Sequence, residues 1–201
     1  MENILIIGAS GHVGKALLQV LLDSSDNNKI TAIARHASSQ LQATTKLAVI
    51  DADATDSNQL QPIVENQDKI FIAVSGQVEK IGETVIRAAR HANVKKVVFI
   101  ASMGIYNEIP TDIPYDNLDK NPILRPYRKI ADDLEKSGLD YTIIRPGWFS
   151  DGPVKYEVTQ KGEPFGGLNV SVASIAEVAK RALINNDFSK QSIGINTPEE
   201  D

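Results

Sequence analysis

Three glycines recur at every third position in Gly8-Ala9-Ser10-Gly11-His12-Val13-Gly14, directly after the apolar run 4–7 and at the opening of a helical pattern. That context gives the spacing a chemistry. The first glycine permits a tight turn, the second lets a diphosphate approach the backbone, and the third lets the helix pack close to the strand. The helix N-terminus then offers N–H groups without intrahelical partners, and a partial positive charge, to phosphate oxygens. Ser10 adds a hydroxyl donor, and His12 lies inside the turn, where a plain turn position or a ligand contact is expected rather than catalysis. The spacing is G-x-x-G-x-x-G rather than the commoner G-x-G-x-x-G. The expected ligand is a dinucleotide.

The second apolar run, 30–34, bears on which dinucleotide. A site that prefers NAD usually places Asp or Glu at the end of this strand to take the ribose hydroxyls. Here the run ends in Arg35-His36, and Asp23 and Asp26 lie before it. Arg35 presents a forked cation where a ribose 2′-phosphate would lie. His36 and Ser38 are additional donors there. The expectation is NADP(H) in preference to NAD(H), with NAD(H) still accommodated; the plain alternative for Arg35 is a solvated surface arginine.

The elements that must position these residues follow from composition and periodicity. The chain has 201 residues, 42% hydrophobic and 23% charged. That suits one globular domain able to bury roughly 70% of its unfolded surface without a disulfide or metal staple. The net charge of −5 is the reverse of what a general nucleic-acid binder carries. No apolar run approaches the ~20 residues that span a bilayer. Met-Glu-Asn followed by a short apolar run lacks the basic start and apolar length of a signal peptide. Cys is absent, which excludes a thiol nucleophile and a Cys-based zinc site. His12, His36 and His91 have no metal-ligand spacing. A cytoplasmic protein without metal is expected, acting on a small molecule as a monomer or homodimer.

Short apolar runs at 4–7, 30–34, 46–50, 69–74, 97–101 and 141–145 are continuous rather than alternating, as strands buried on both faces are. Between them lie helical stripes at three- and four-residue spacing. These are Val13, Ala16, Leu17, Val20 and Leu21; Val78, Ile81, Val85, Ala88, Ala89 and Ala92; Ile130, Ala131 and Leu134; and Ile175, Val178, Ala179, Ala182 and Leu183. Ser174 and Glu177 are spaced as a capping box for the last. Alternating β and α predict an α/β doubly wound parallel sheet with helices on both faces, a single Rossmann-type domain over 1–201. Two irregular stretches break the rhythm: 103–123, with Pro110, Pro114 and Pro122, and 150–169, with several glycines. Both follow strand C-termini, where ligands bind in open α/β sheets. They are the expected substrate-side loops.

With these pieces in order, the chain resembles the atypical short-chain dehydrogenase/reductases, specifically the NmrA-like NAD(P)H-binding group, with flavin-reductase-like or biliverdin-reductase-like architecture. The resemblance is carried by Gly8-x-x-Gly11-x-x-Gly14, Ala-Asp53-Ala-Thr-Asp56, Val74-Ser-Gly76, Ser102-Met-Gly104-x-Tyr106 and Ser137-Gly-Leu-Asp-Tyr-Thr-Ile-Ile-Arg-Pro-Gly147-Trp148. It covers essentially the whole chain. It implies that Asp53 and Ala54 border the adenine, with Asp53 accepting from its amino group. It further implies that Val74, Ser75 and Gly76 pass beside the ribose and diphosphate, that Ser102 lies near the nicotinamide, and that Pro146, Gly147 and Trp148 close over that end. The plain alternative for Asp53 is a loop cap, with Asp56 capping the next helix.

One departure matters. Members of the larger superfamily use Tyr-x-x-x-Lys, in which Lys lowers the Tyr pKa for proton exchange. None of Tyr106, Tyr115, Tyr127, Tyr141 or Tyr156 has Lys four residues on. The usual Lys place falls on Arg128 and the usual Tyr place on Leu124. Arg128 cannot donate a proton at neutral pH, but it can hold the nicotinamide ribose or a phosphate; an exposed helix arginine beside Arg125 and Lys129 is the equal alternative. Ketone chemistry is therefore poorly served. A flavin or quinone acceptor, for which hydride transfer is chiefly positioning, suits the residues better. Trp148, Phe149, Tyr106 and Tyr156 are candidates for a flat aromatic wall, or for ordinary packing. The residues expected near the chemistry are Ser102, Tyr106, Arg128 and Trp148. The alternative function is a non-catalytic NADP(H)-binding redox sensor that acts through a protein partner.

Overall fold

The apolar runs become the strands of one sheet. They are β1 (Asn3–Ile7), β2 (Lys29–Ala34), β3 (Leu47–Asp51), β4 (Lys69–Ile72), β5 (Lys96–Ile100) and β6 (Tyr141–Pro146), all parallel to their neighbours. The structure is a computed structural model that describes residues 1–110 and 117–198; Pro114 and Tyr115 lie outside them. The main sheet has eight strands in the order β3-β2-β1-β4-β5-β6-β10-β8, where β8 is Glu157–Gln160 and β10 is Gln191–Asn196. The 3-2-1-4-5-6 order is that of a Rossmann sheet, and it reverses between β1 and β4. Helices α1 (His12–Asp23) and α5 (Val172–Ile184) cover one face. Helices α2 (Ser57–Val64), α3 (Val78–His91) and α4 (Arg125–Lys136) cover the other. The alternation of side chains along β1 shows why its run is apolar throughout: Ile4 and Ile6 pack toward α1 and α5, Leu5 and Ile7 toward α2, α3 and α4.

The structure adds to the periodicity reading and corrects it in places. α2 follows Asp56, whose carboxylate accepts from the Asn58 N–H at 2.9 Å, an N-cap. The 150–169 stretch is not wholly irregular. It contains β8, antiparallel to β10, and is flanked by β7 (Trp148–Ser150) and β9 (Asn169–Ser171), which form a two-stranded parallel ribbon. The cap of α5 is Ser171 rather than Ser174. The Ser171 hydroxyl accepts from the Ser174 N–H at 3.1 Å, and the Ser174 hydroxyl instead holds the backbone of Lys155.

Buried charges fix both ends of the sheet. At the ends where β4 and β5 begin, Lys69 donates to the Leu183 carbonyl in the last turn of α5 at 2.5 Å and pairs with Glu2. Lys96 donates to the Asn186 side chain at 3.0 Å, with the Asp140 carboxylate at 3.6 Å. At the opposite edge, the fully buried Arg145 of β6 pairs with Glu108, itself buried, from the irregular stretch. Glu108 also accepts from the Gly104 N–H at 3.2 Å and the Tyr106 N–H at 2.8 Å, and its carbonyl accepts from the Phe165 N–H at 2.8 Å. One residue thus ties the segment after β5 to the sheet through its carboxylate and to the β8–β9 connection through its backbone carbonyl.

Removing Glu108 leaves a guanidinium buried without a counter-charge, which costs about 3–5 kcal/mol. Glu108→Ala is expected to lower the urea unfolding free energy by that amount. Replacing Arg145 by Met in the same chain should recover much of the loss, because the uncompensated charge is gone. A loss under ~1 kcal/mol in the single variant would show that the pair carries little of the stability.

Candidate functional site

Residues that follow the C-terminal ends of successive strands line a trough along one edge of the sheet. Its first part is a cleft of about 350 Å³ lined by the glycine turn, the Arg35-His36 corner, residues 52–55 and residues 73–77. Gly8 makes the turn with φ +88°, and a Cβ there would stand 2.0 Å from the Ala73 carbonyl oxygen. Gly14 packs against the turn itself, where a Cβ would stand 2.2 Å from the Gly8 carbonyl oxygen. These two contacts draw the start of α1 onto β1 and β4. Ala9 and Val13 are buried beneath the turn and pack in the layer shared with α5. His12 is the exposed first residue of α1. Gly11 caps α1 without a side chain, and the nearest atom to a Cβ there is the Gly8 oxygen at 3.4 Å. Gly76 has open space where its Cβ would be. Both line the cleft, so two missing side chains leave room for a ligand beside free N–H groups, the fit a diphosphate needs.

The end of the cleft away from the cavity has a defined charge pattern. Arg35, His36 and Gln40 line one side, and the Gln40 side-chain oxygen accepts from Lys15 at 3.1 Å. Asp53 and Ala54 line the other. Asp53 Oδ1 accepts from the Thr55 N–H at 2.9 Å and the Thr55 hydroxyl at 2.8 Å. These bonds, helped by the Arg35 charge, hold its carboxyl below the usual range. Oδ2 takes no hydrogen bond among the described residues. Asp53 is thus both a loop cap and an available acceptor. Ser38 is not a free donor: its hydroxyl and N–H are bonded to Asp51 at 2.6 and 2.8 Å, which holds that carboxyl ionised and occupied.

The second part of the trough is a cavity of about 450 Å³ at the ends of β5 and β6, lined by Ala101, Ser102, Met103, Asn121, Ile123, Leu124, Tyr127 and residues 146–149. Ser102, Pro146, Gly147 and Trp148 meet here. A Cβ on Gly147 would stand 2.5 Å from the Leu168 carbonyl oxygen, and the Trp148 N–H donates to that oxygen at 2.6 Å. The close approach fixes the Trp148 backbone at the cavity wall, and the residue is 59% exposed.

Two expected residues are elsewhere. The Arg128 guanidinium is bonded to Asp132 one turn along α4, at 2.8 and 3.0 Å, and to the Ile105 carbonyl at 3.2 Å. It lines a separate groove along α4, with the i+4 carboxylate of Asp132 as its partner. Tyr106 is packed among cations, with Arg128, Arg145 and Lys161 at 4.8, 5.2 and 4.5 Å from its ring centre. Its hydroxyl donates to Glu135 at 3.2 Å. Burial above all raises its pKa, so it stays protonated. Neither residue lines either part of the trough. Conversely, sequence reasoning missed Gln40, Asn121 and the placement of Tyr127. Asn121-Pro122 reads as an N-cap followed by proline at the first helical position, and that signal would have found Asn121.

A parallel sheet of this order, with a glycine cradle beside its reversal point, defines a dinucleotide-binding Rossmann domain. The chain belongs to the NAD(P)H-binding family, whose sequence model matches residues 8–186. Among solved structures it is similar to a Rossmann-fold NAD(P)-binding family protein from Shigella flexneri, at 30% identity over 100% of this chain and 96% of that one, with a TM-score of 0.85. A short-chain dehydrogenase/reductase from Veillonella parvula in complex with NADP superposes with a TM-score of 0.82, at 22% identity over 98% and 95% of the two chains. Among curated proteins, Quinone oxidoreductase 2 of Escherichia coli K12 is 27% identical over 74% of this chain and 49% of its own length.

Gly11→Val is expected to abolish NADPH binding in calorimetry with little change in thermal unfolding, because its Cβ enters the cleft and not the fold. Gly14→Ala should do the reverse of a silent change: with the Gly8 oxygen 2.2 Å away, it is expected to lower the melting temperature. Undiminished NADPH affinity in Gly11→Val would remove the turn from cofactor binding.

Proposed function

We infer that the protein is an NADPH-dependent reductase that passes hydride to a planar acceptor of the flavin or quinone type. The observation that carries this reading is the two-part trough: a charged, glycine-floored cleft continuous in chain order with an apolar cavity at the ends of β5 and β6. NADPH would occupy the first part with its diphosphate at residues 8–14, its adenine beside Asp53 and Ala54 and its 2′-phosphate at Arg35, and its nicotinamide would reach the inner end of the second. Val74, Ser75 and Gly76 would pass beside the ribose and diphosphate, and Ser102, Pro146, Gly147 and Trp148 would border the nicotinamide. When bound, the dinucleotide supplies the hydride. The chain's own part is to hold the acceptor flat against it and keep water off the exchange.

Preference for the phosphorylated cofactor follows from the corner after β2. Arg35 and His36 line it, Lys15 stands behind Gln40, and the nearest carboxylate at the end of β3, Asp51, is tied to Ser38. No acid follows β2 itself, where an NAD site places one, and the free oxygen of Asp53 stands across the cleft, on the side given to the adenine. The NADP complex of the Veillonella parvula protein supports the same choice.

The absence of the Tyr-x-x-x-Lys spacing shapes the chemistry. General acid catalysis typically supplies 10²–10⁴ in rate, and a carbonyl on its way to an alcohol needs that proton. A delocalised acceptor spreads the incoming charge and needs it less.

The reading is tested by mixing the protein with NADPH and candidate acceptors and following the loss of reduced-nicotinamide absorbance. Quinones and flavins are expected to turn over, and simple ketones and aldehydes at least ~100-fold more slowly. Binding of NADPH without oxidation by any acceptor would favour a redox sensor. Arg35→Ala should weaken NADPH by about 1.5–3 kcal/mol while leaving NADH nearly unchanged. Equal losses for both cofactors would take the 2′-phosphate away from Arg35. Trp148→Ala is expected to lower kcat/KM for the acceptor more than it lowers NADPH affinity.

A further inference from the structure

The apolar cavity contains three polar side chains, Ser102, Asn121 and Tyr127, and no Asp, Glu, Lys, Arg or His among its described lining residues. The charged half of the trough makes the contrast plain, since Arg35, His36 and Asp53 line that part. The cavity's polar groups are neutral, and two of them are set as donors. The Asn121 Oδ1 accepts from the Ile123 N–H at 3.2 Å at the start of the short 3-10 turn Pro122–Leu124. That bond fixes which end of the amide is spoken for and leaves the NH₂ without a partner among the described residues. The Tyr127 ring lies nearly parallel to Phe99, with centres 6.4 Å apart, which holds its plane. Its hydroxyl has no hydrogen-bond partner among the described residues, and burial raises its pKa. It therefore remains a neutral donor through the physiological range and is a weak acid, with no lysine to change that.

We propose that Asn121 and Tyr127 form a donor pair that holds the carbonyl oxygen of an uncharged, flat acceptor, so that this site selects neutral quinones over anionic ring systems. The cavity of about 450 Å³ is of the size that takes a small ligand. Its mouth is flanked by Ile123, Trp148 and Phe149, which are 73%, 59% and 51% exposed. Such a rim favours apolar ring faces, while an acid group carried inside would lose its water and meet no cation. The electrons balance simply. A hydride brings two electrons and one hydrogen from the reduced nicotinamide to the quinone, negative charge collects on the carbonyl oxygen, and a proton from water completes the hydroquinone. Donors aimed at that oxygen strengthen as the charge appears, without giving up their own protons. The assignment to turnover rests on the reductase reading above; the assignment of acceptor charge and donor pair rests on the cavity alone.

The test separates the two. Trp148 is the sole tryptophan of the chain and stands in the cavity wall, so quenching of its fluorescence reports occupancy without any reaction. Without cofactor, so that neither reaction nor the charge of an oxidised nicotinamide enters, 2-methyl-1,4-naphthoquinone is expected to quench saturably, and 1,4-naphthoquinone-2-sulfonate to bind at least about tenfold more weakly. Tyr127→Phe should weaken the neutral quinone about three- to tenfold, the loss of one neutral hydrogen bond. Asn121→Asp keeps the cap on Ile123 and replaces the donor by a carboxylate, and should cost more than about tenfold. Both variants should bind NADPH as the parent does, which shows that they fold. Equal binding of the two naphthoquinones, or unchanged quinone affinity in both folded variants, would overturn the proposal. Quinone binding in this pattern without NADPH oxidation would uphold the donor pair and overturn the reductase reading instead.

Discussion

Arg145 is placed where a strand residue buried on both sides would ordinarily be Val or Ile, and its charge must be answered there. Taking a guanidinium out of water costs several kcal/mol unless a carboxylate and further hydrogen bonds replace the hydration. Glu108 is that carboxylate. To reach Arg145, the chain leaving β5 must fold back across the sheet edge, and the same carboxylate gathers the N–H groups of Gly104 and Tyr106 on the way. The consequence reaches both walls of the cavity. Ser102 and Met103 are held on one side of it. The β8–β9 connection is drawn in through Phe165 and ends at Leu168, whose carbonyl receives Trp148.

What the sequence made legible was what a local rule could express. The continuous runs identified β1 to β6, because a strand covered by helices has no polar row. The glycine spacing located the turn that floors the cleft, because turn, strand and helix are contiguous there. β10 escaped because Gln191-Ser-Ile-Gly-Ile-Asn alternates polar and apolar residues, the pattern of a strand with one wet face, although all but its first residue are buried. Glu108 carried no signal, since a glutamate in a proline-rich stretch reads as solvated until a distant arginine is seen to need it. Arg128 offered two equal readings, a ligand contact or a helix surface arginine, and what the spacing did not weigh was Asp132 one helical turn away, which the guanidinium pairs with in the structure.

The two halves of the trough divide the work by dielectric character as well as by shape. One half presents full charges beside open solvent, where an anionic dinucleotide can be attracted and still exchange. The other presents neutral dipoles against apolar rings, where a small change in charge on a bound molecule is felt strongly. The boundary falls between the loops after β4 and β5.

The lysines at the far edge of the sheet bear on how such a protein can change. Lys69 and Lys96 tie the end of α5 and the segment after it to β4 and β5, on the side away from every residue of the trough. Cohesion and recognition therefore reside at opposite ends of the same strands. Changes at the exposed rim positions 123, 148 and 149 therefore reach the cavity without touching the helix clamp, so the lining can vary while the scaffold that presents it stays the same.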